Sequence, residues 1–519
     1  MGVLALTRSL FSFLLLLSLG AAAADAQRRP AQRPAPQAPA AAPAKAAERP
    51  AYAVPFVNRK LTNGLEVIVL PDMSVPIVTV ELAVRNGSFT EPPELNGLSH
   101  LYEHMFFKPT MAALLAQCEP FILRGGRNPI CDEPMRLKEQ IGDVSYLQDV
   151  HRLGIANNGT TREEVVNYYF TTTSQNLATA IRIINDAARY PMFDEQEFEN
   201  EKLVVIGELE RNESNPFTYL FRETNDRLFY KYPTRKNPGG TRETVAAATT
   251  DQMRLIQSRY YFPNNAALVV TGSADPNQVF KLAENILGSW EPRKADPFEE
   301  FPLVEHPPLK KSEGVVIEKN IGTEDEADGQ NVFIQIGWHG PSIGKDDAST
   351  YAADVFSYIL SQPDHRFQRN LVDSGLASAA AINYYTQRNV GPITMFMITT
   401  ADKAKAALKA LYAEVALFDN PRYYTNEELE NSKNILEAND LFDREKPSEY
   451  AHTLGFWWSS TGIDYFRDYH KNLRAVSRAD INRYVRTYIA GKPRVAIALV
   501  SPTAKKVANL TEGDLIGGK

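Results

Sequence analysis

His100-Leu101-Tyr102-Glu103-His104 decides how the rest of this 519-residue chain is read. Two histidines four apart stand one above the other on a helix, with Cβ atoms roughly 5–6 Å apart. At that spacing two imidazole nitrogens can meet one Zn²⁺ at bond lengths of about 2.0–2.1 Å. Glu103 adjoins His104 and follows His100 by three positions, so its carboxylate can reach a water beside the ion. The order H-x-x-E-H inverts the H-E-x-x-H of zinc hydrolases. Two histidines leave a catalytic zinc short of its usual three protein donors, so a third must come from elsewhere.

The segment Phe198-Glu-Asn-Glu201-Lys-Leu-Val-Val-Ile-Gly-Glu208 supplies candidates. Leu203, Val204, Val205, Ile206 and Leu209 predict a helix buried along much of its girth. Glu201 and Glu208 are seven apart and share one face two turns from each other. On composition alone, such a Glu-rich face is as often simply solvated.

Together the two segments resemble the M16 (pitrilysin/insulinase) metallopeptidase family, in its half-length bacterial form. The matching residues start at Gly87-Ser88, run through Gly97-Leu98-Ser99-His100 to His104-Met-Phe-Phe-Lys108, and resume at Asn158-Gly-Thr-Thr161. Tyr168-Tyr169, Pro191-Met-Phe193, Glu201-x6-Glu208 and Pro263-Asn264-Asn265 continue the match, which spans about residues 55–510. Carried over residue by residue, the resemblance makes His100, His104 and Glu208 the ligands of one zinc ion. Glu103 becomes the general base, and Glu201 supports the site from behind a ligand. Asn158 borders the strand edge where the family lays its peptide. Two departures stand out. The interval from His104 to Glu208 is long, with the surplus near residues 110–135. Where the family carries an Arg and a Tyr for substrate in its second half, this chain has Val372 and Ser378. Valine has no donor, and serine is too short to reach as far as tyrosine.

The net charge of −7 and the absence of a basic tract argue against nucleic-acid binding. Arg8, the apolar run Leu10–Leu19 and the Ala24-Asp25-Ala26 site predict a cleaved export signal over residues 1–26. That run is too short to span a bilayer, which takes about twenty residues. No other long apolar run exists, so the mature chain is expected to lack a membrane span. Residues 27–53 are rich in Ala and Pro and read as a disordered tether. The two cysteines, Cys118 and Cys131, both fall in the surplus segment. In an exported chain such a pair suggests a disulfide pinning that insertion, with metal ligation as the weaker alternative.

The expected fold is α+β: two homologous α/β-sandwich domains, which the resemblance makes one half of a clam-shell. Leu65–Leu70, after the Asn63-Gly64 turn, and Ile77–Val84 read as strands before the motif helix. Residues 54–290 form the expected zinc domain, 291–311 the linker, and 312–511 a second copy without H-x-x-E-H. The copies repeat at about 230 residues. Gly340-Pro-Ser-Ile-Gly344-Lys345 looks like a phosphate loop but is one residue short, and Asp346 replaces the Ser/Thr; it reads as a helix entry. Phe456-Trp457-Trp458 reads as packing against the neighbouring domain.

The resemblance therefore implies an exported zinc metalloendopeptidase, periplasmic or secreted, acting on peptides or unfolded polypeptides. A chamber of four such domains requires a second chain. The expected partner is a homologous zinc-less subunit supplying the Arg and Tyr, with a homodimer as the fallback. The competing class is a non-cleaving, chaperone-like peptide-binding subunit.

Overall fold

Two sheets with the same strand order carry the architecture of this computed structural model, which describes residues 53–108, 110, 150, 153–302, 304–320 and 330–517. The first contains β1 (Val57–Lys60), β2 (Glu66–Pro71), β3 (Ile77–Val84), β4 (Ala156–Thr161), β5 (Val166–Thr173) and β6 (Ala266–Gly272). Its order is β1-β2-β6-β3-β5-β4. The second contains β7 (Glu313–Glu318), β8 (Asn331–His339), β9 (Ala379–Tyr384), β10 (Pro392–Thr400) and β11 (Val495–Val500), in the order β7-β11-β8-β10-β9. Leaving β1 aside, each strand of the first sheet has a counterpart in the second. Even the single parallel pairing recurs, β2 with β6 and β7 with β11. The repeat and the α+β class expected from the sequence are present.

Helices cover both sheets. In the first half these are α1 (Leu98–Phe106), α2 (Leu177–Arg189), α3 (Glu195–Ser214), α4 (Pro216–Leu228), α5 (Thr250–Tyr260) and α6 (Pro276–Leu287). The second half has α7 (Asp347–Ser361), α8 (Ala404–Val415), α9 (Asn426–Asp443), α10 (Pro447–Ser460), α11 (Tyr469–Ala475) and α12 (Arg478–Tyr488). Alternation sends Val78, Val80, Leu82 and Val84 of β3 to the face packed by α1, α2 and α6. The opposite face, with Ile68, Ala83 and Val269, is covered by Tyr450, Ala451, Leu454 and Trp458 of α10, a helix of the second half. The exchange is mutual: Leu220 and Leu228 of α4 cover Val495, Ile497 and Leu499 of the second sheet. Each half thus lends the other a helix, and the described residues from Ala53 onward pack as one unit.

Trp458 anchors this exchange, with its indole N–H donating to Glu66 Oε2 at 3.0 Å and the Arg85 guanidinium 4.1 Å from its ring. The aromatic run therefore packs against the neighbouring half, as expected. Asp346 caps α7 by accepting from the Ser349 N–H, so the apparent phosphate loop is a helix entry. One expectation fails. Helix α3 is not buried along its girth: Leu203 and Val204 are 70% and 48% exposed, and only Phe198 and Val205 are buried. This helix lies over α1 on a narrow face, and its apolar residues outnumber the buried positions. The signal, the tether up to residue 52, Cys118 and Cys131 lie outside the described residues.

Candidate metal centre

Helix α1 is fixed before its chemistry begins. Gly97 precedes it with φ 88°, where a Cβ would come within 2.7 Å of Gly240 Cα, so glycine is required. The buried Glu91 carboxylate accepts from the N–H groups of Gly97 at 2.7 Å and Ser99 at 2.6 Å. A carboxylate so placed satisfies orphan donors and complements the positive end of the helix. Leu98, Leu101, Tyr102, Met105 and Phe106 face the core, with Phe106 stacked on Tyr168 at 3.6 Å and Tyr102 4.2 Å from the Tyr261 ring. That leaves His100 and His104 on the other side, their rings nearly perpendicular and 4.9 Å apart.

Glu208 of α3 reaches both. Its Oε2 lies 3.7 Å from His100 Nε2 and 3.6 Å from His104 Nε2. One ligand atom from each of the three residues falls within 4.8 Å of the others. Donors on one tetrahedral zinc stand roughly 3.4 Å apart, given bonds of about 2.0–2.1 Å. The trio therefore fits a zinc ion, with the nitrogen, nitrogen and oxygen donors such an ion takes. The His104 Nδ1–H donates to Glu201 Oε2 at 2.9 Å, which selects the tautomer whose Nε2 lone pair faces Glu208. His100 Nδ1 is buried without a hydrogen-bond partner among the described residues.

Electrostatics separate the two imidazoles. Burial, aided by the charge of His104, pulls His100 down to about 4, against the pull of Glu208. Burial also opposes charge on His104, but the hydrogen bond to Glu201 and the nearby Glu208 carboxylate outweigh it and push that group up to about 10. The His104 imidazole 3.6 Å away holds Glu208 below its ordinary value, against burial. Glu201 is also lowered: burial works against it, and the bonds from His104 and Lys108 win.

Glu103 is buried between α1 and β4. Thr161 Oγ1 donates to its Oε2 at 2.9 Å, and a Cβ on Gly159 would lie 2.5 Å from its Oε1. Burial pushes this carboxyl up to about 7, with His104 and the Thr161 hydroxyl pulling the other way. A base poised near neutrality suits proton transfer at physiological pH. Asn158 is exposed on β4, which among the described residues pairs only with β5 and is the edge of its sheet.

Glu91, Lys108, Gly159 and Thr161 belong to this centre, yet spacing gave none of them a role. Lys108, Gly159 and Thr161 fall in stretches that resemble the family, which was the only signal. In the second half, Val372 packs partly buried against the core, and Ser378 is exposed just ahead of β9.

Residues 67–117 and 139–237 match the family model described as insulinase (peptidase family M16), and residues 247–436 match the peptidase M16 inactive domain. The chain is 24% identical over 390 residues to the uncharacterized zinc protease YmxG of Bacillus subtilis, covering 74% of this chain and 83% of that one. It is 23% identical over 436 residues to the zinc protease PqqE of Helicobacter pylori, covering 82% and 89%. A crystal structure of a protease from Helicobacter pylori superposes with a TM-score of 0.70 at 20% identity, over 86% of this chain and 99% of the other. The periplasmic protease PqqL of Escherichia coli superposes with a TM-score of 0.63 at 17% identity, over 91% of this chain but 50% of its own. Strand order, the two-half repeat and these matches agree: the chain belongs to the M16 peptidase family.

Proposed function

We propose that the chain is an exported zinc metalloendopeptidase acting on peptides or unfolded polypeptides. The observation that carries this reading is the convergence of His100, His104 and Glu208 beside the buried Glu103. When held by the first three, zinc supplies a Lewis acid that polarises a carbonyl and lowers the pKa of water toward about 7. Glu103 takes the proton of the attacking water and returns it to the departing amine. Thr161 and Gly159 hold the Glu103 carboxylate in register with β4. The edge of β4, bearing Asn158 and without a second neighbouring strand among the described residues, offers main-chain groups to an extended peptide, a sequence-tolerant way of binding.

Pairing with a second chain is part of the proposal. This chain holds two halves and aligns with 50% of PqqL, so a second such unit would complete the same count. With Val372 and Ser378 at the substrate positions, the favoured partner is a homologous subunit carrying the missing Arg and Tyr. The division of the chain at residues 291–311 and the disulfide between Cys118 and Cys131 stand as parts of the same proposal. The second reading, a non-cleaving subunit, draws on the inactive-domain description of the second half. Zinc content and cleavage of an unfolded peptide, with and without chelator, separate the two. Glu103→Gln should keep zinc and lose about 10²–10⁴ in turnover. Stoichiometric zinc with no cleavage, alone or with homologous partners, would favour the non-cleaving reading.

A further inference from the structure

Lys108 follows α1 by two residues, and its ammonium reaches α3. Its Nζ lies 2.5 Å from Glu201 Oε1 and 3.2 Å from Glu197 Oε2. Glu201 uses its other oxygen on His104 Nδ1. A continuous chain therefore runs Lys108, Glu201, His104, each link within hydrogen-bond reach. Glu197 and Glu201 are one turn apart on α3, and like charges at that spacing repel. Lys108 sits between them and removes the repulsion. Its side chain is 23% exposed and that of Glu201 12%, so the pair is screened less than a surface salt bridge. Without Lys108, Glu201 has less reason to keep the rotamer that orients His104. Partners behind a ligating histidine fix its ring and tautomer, and losing one commonly weakens metal binding.

We infer that Lys108 is a positioning residue of the metal centre: by holding Glu201 against His104, it sets the affinity of the chain for zinc. The inference rests on the zinc reading above and extends it to a residue that touches no ligand. The test measures zinc affinity by competition with a chromophoric chelator, together with the melting temperature of each metal-free protein. Lys108→Met should weaken binding by about 10- to 100-fold. Lys108→Arg, which keeps the charge, should restore most of it. Glu197→Gln, which leaves the Lys108–Glu201 contact intact, should stay within about threefold of the parent. Lys108→Met folding normally and binding zinc as tightly as the parent would overturn the inference alone. A parent chain that takes up no zinc would overturn the metal reading and this inference with it.

Discussion

Thr161 donates its hydroxyl to Glu103 Oε2 at 2.9 Å, tying the edge strand β4 to the carboxylate assigned the proton. The bond is made to a charged acceptor in a buried setting, where such bonds are worth about 1.5–3 kcal/mol. Thr161→Val keeps the shape and removes the donor. Turnover should fall about tenfold or more with zinc content unchanged, as read by steady-state kinetics beside metal analysis. Unchanged turnover would show that Thr161 does not hold the base.

Gly159 tests the same contact from the other side. A methyl group there would stand 2.5 Å from Glu103 Oε1 and 2.7 Å from its Cγ. Gly159→Ala must displace the carboxylate or the strand, so it should cost turnover more than Thr161→Val does. Full activity in this variant would mean that the close approach is not needed.

Glu208 is the one proposed ligand from outside α1. Glu208→Gln removes the anionic donor while keeping the volume. Bound zinc should fall well below one ion per chain after dialysis, whereas Glu103→Gln retains it. Equal retention by both variants would exclude Glu208 from the ligand set.

Lys236 joins the halves. Its buried ammonium donates to the carbonyls of Asn389 at 2.7 Å and Val390 at 2.9 Å and to the Gln387 side chain. Burial pulls the group down to about 8, with Glu164 and Glu163 resisting. Lys236→Met leaves those carbonyls, and the buried Glu164 beside them, without their cation. Stability should drop by about 3–5 kcal/mol, measured by chemical denaturation.

Asp354 of α7 gives stability a pH dependence. It is partly buried, it accepts from Tyr469 at 2.7 Å, and removal from water raises its pKa to about 7. The unfolded value is about 3.9. Between these values the folded state holds more protons, so this group's contribution falls as pH rises from about 4 to 7 and stays low above that. Asp354→Asn removes the titration and still accepts from Tyr469. The variant should gain on the parent across that window, by as much as about 4 kcal/mol. A pH-independent difference would mean that Asp354 does not titrate there.

Strands and the shared helix faces of the candidate ligands were legible because both follow short-range periodicity; the ligand roles themselves came from the family resemblance. Alternation over Val78–Val84 marked β3, and spacings of four and seven placed His100, His104, Glu201 and Glu208 on two helix faces. What escaped depends on contacts between distant segments. Nothing near Thr161 or Gly159 in the sequence announces that β4 passes under Glu103. Nothing near Lys108 announces Glu197, which arrives with α3. Leu203 and Val204 misled for a related reason: periodicity reports which residues are apolar, and not how narrow a face the fold will cover. The Pro447–Ser460 helix was legible as an aromatic element packing on its neighbour, but not as half of a reciprocal exchange.

That exchange makes the halves inseparable. Severing the backbone near residue 300 would strip α4 from the sheet it shields and α10 from the other, leaving each fragment with a bare greasy plane. Neither piece alone would be a minimal protease, and soluble product should come only from co-expressing both fragments so that they fold around each other.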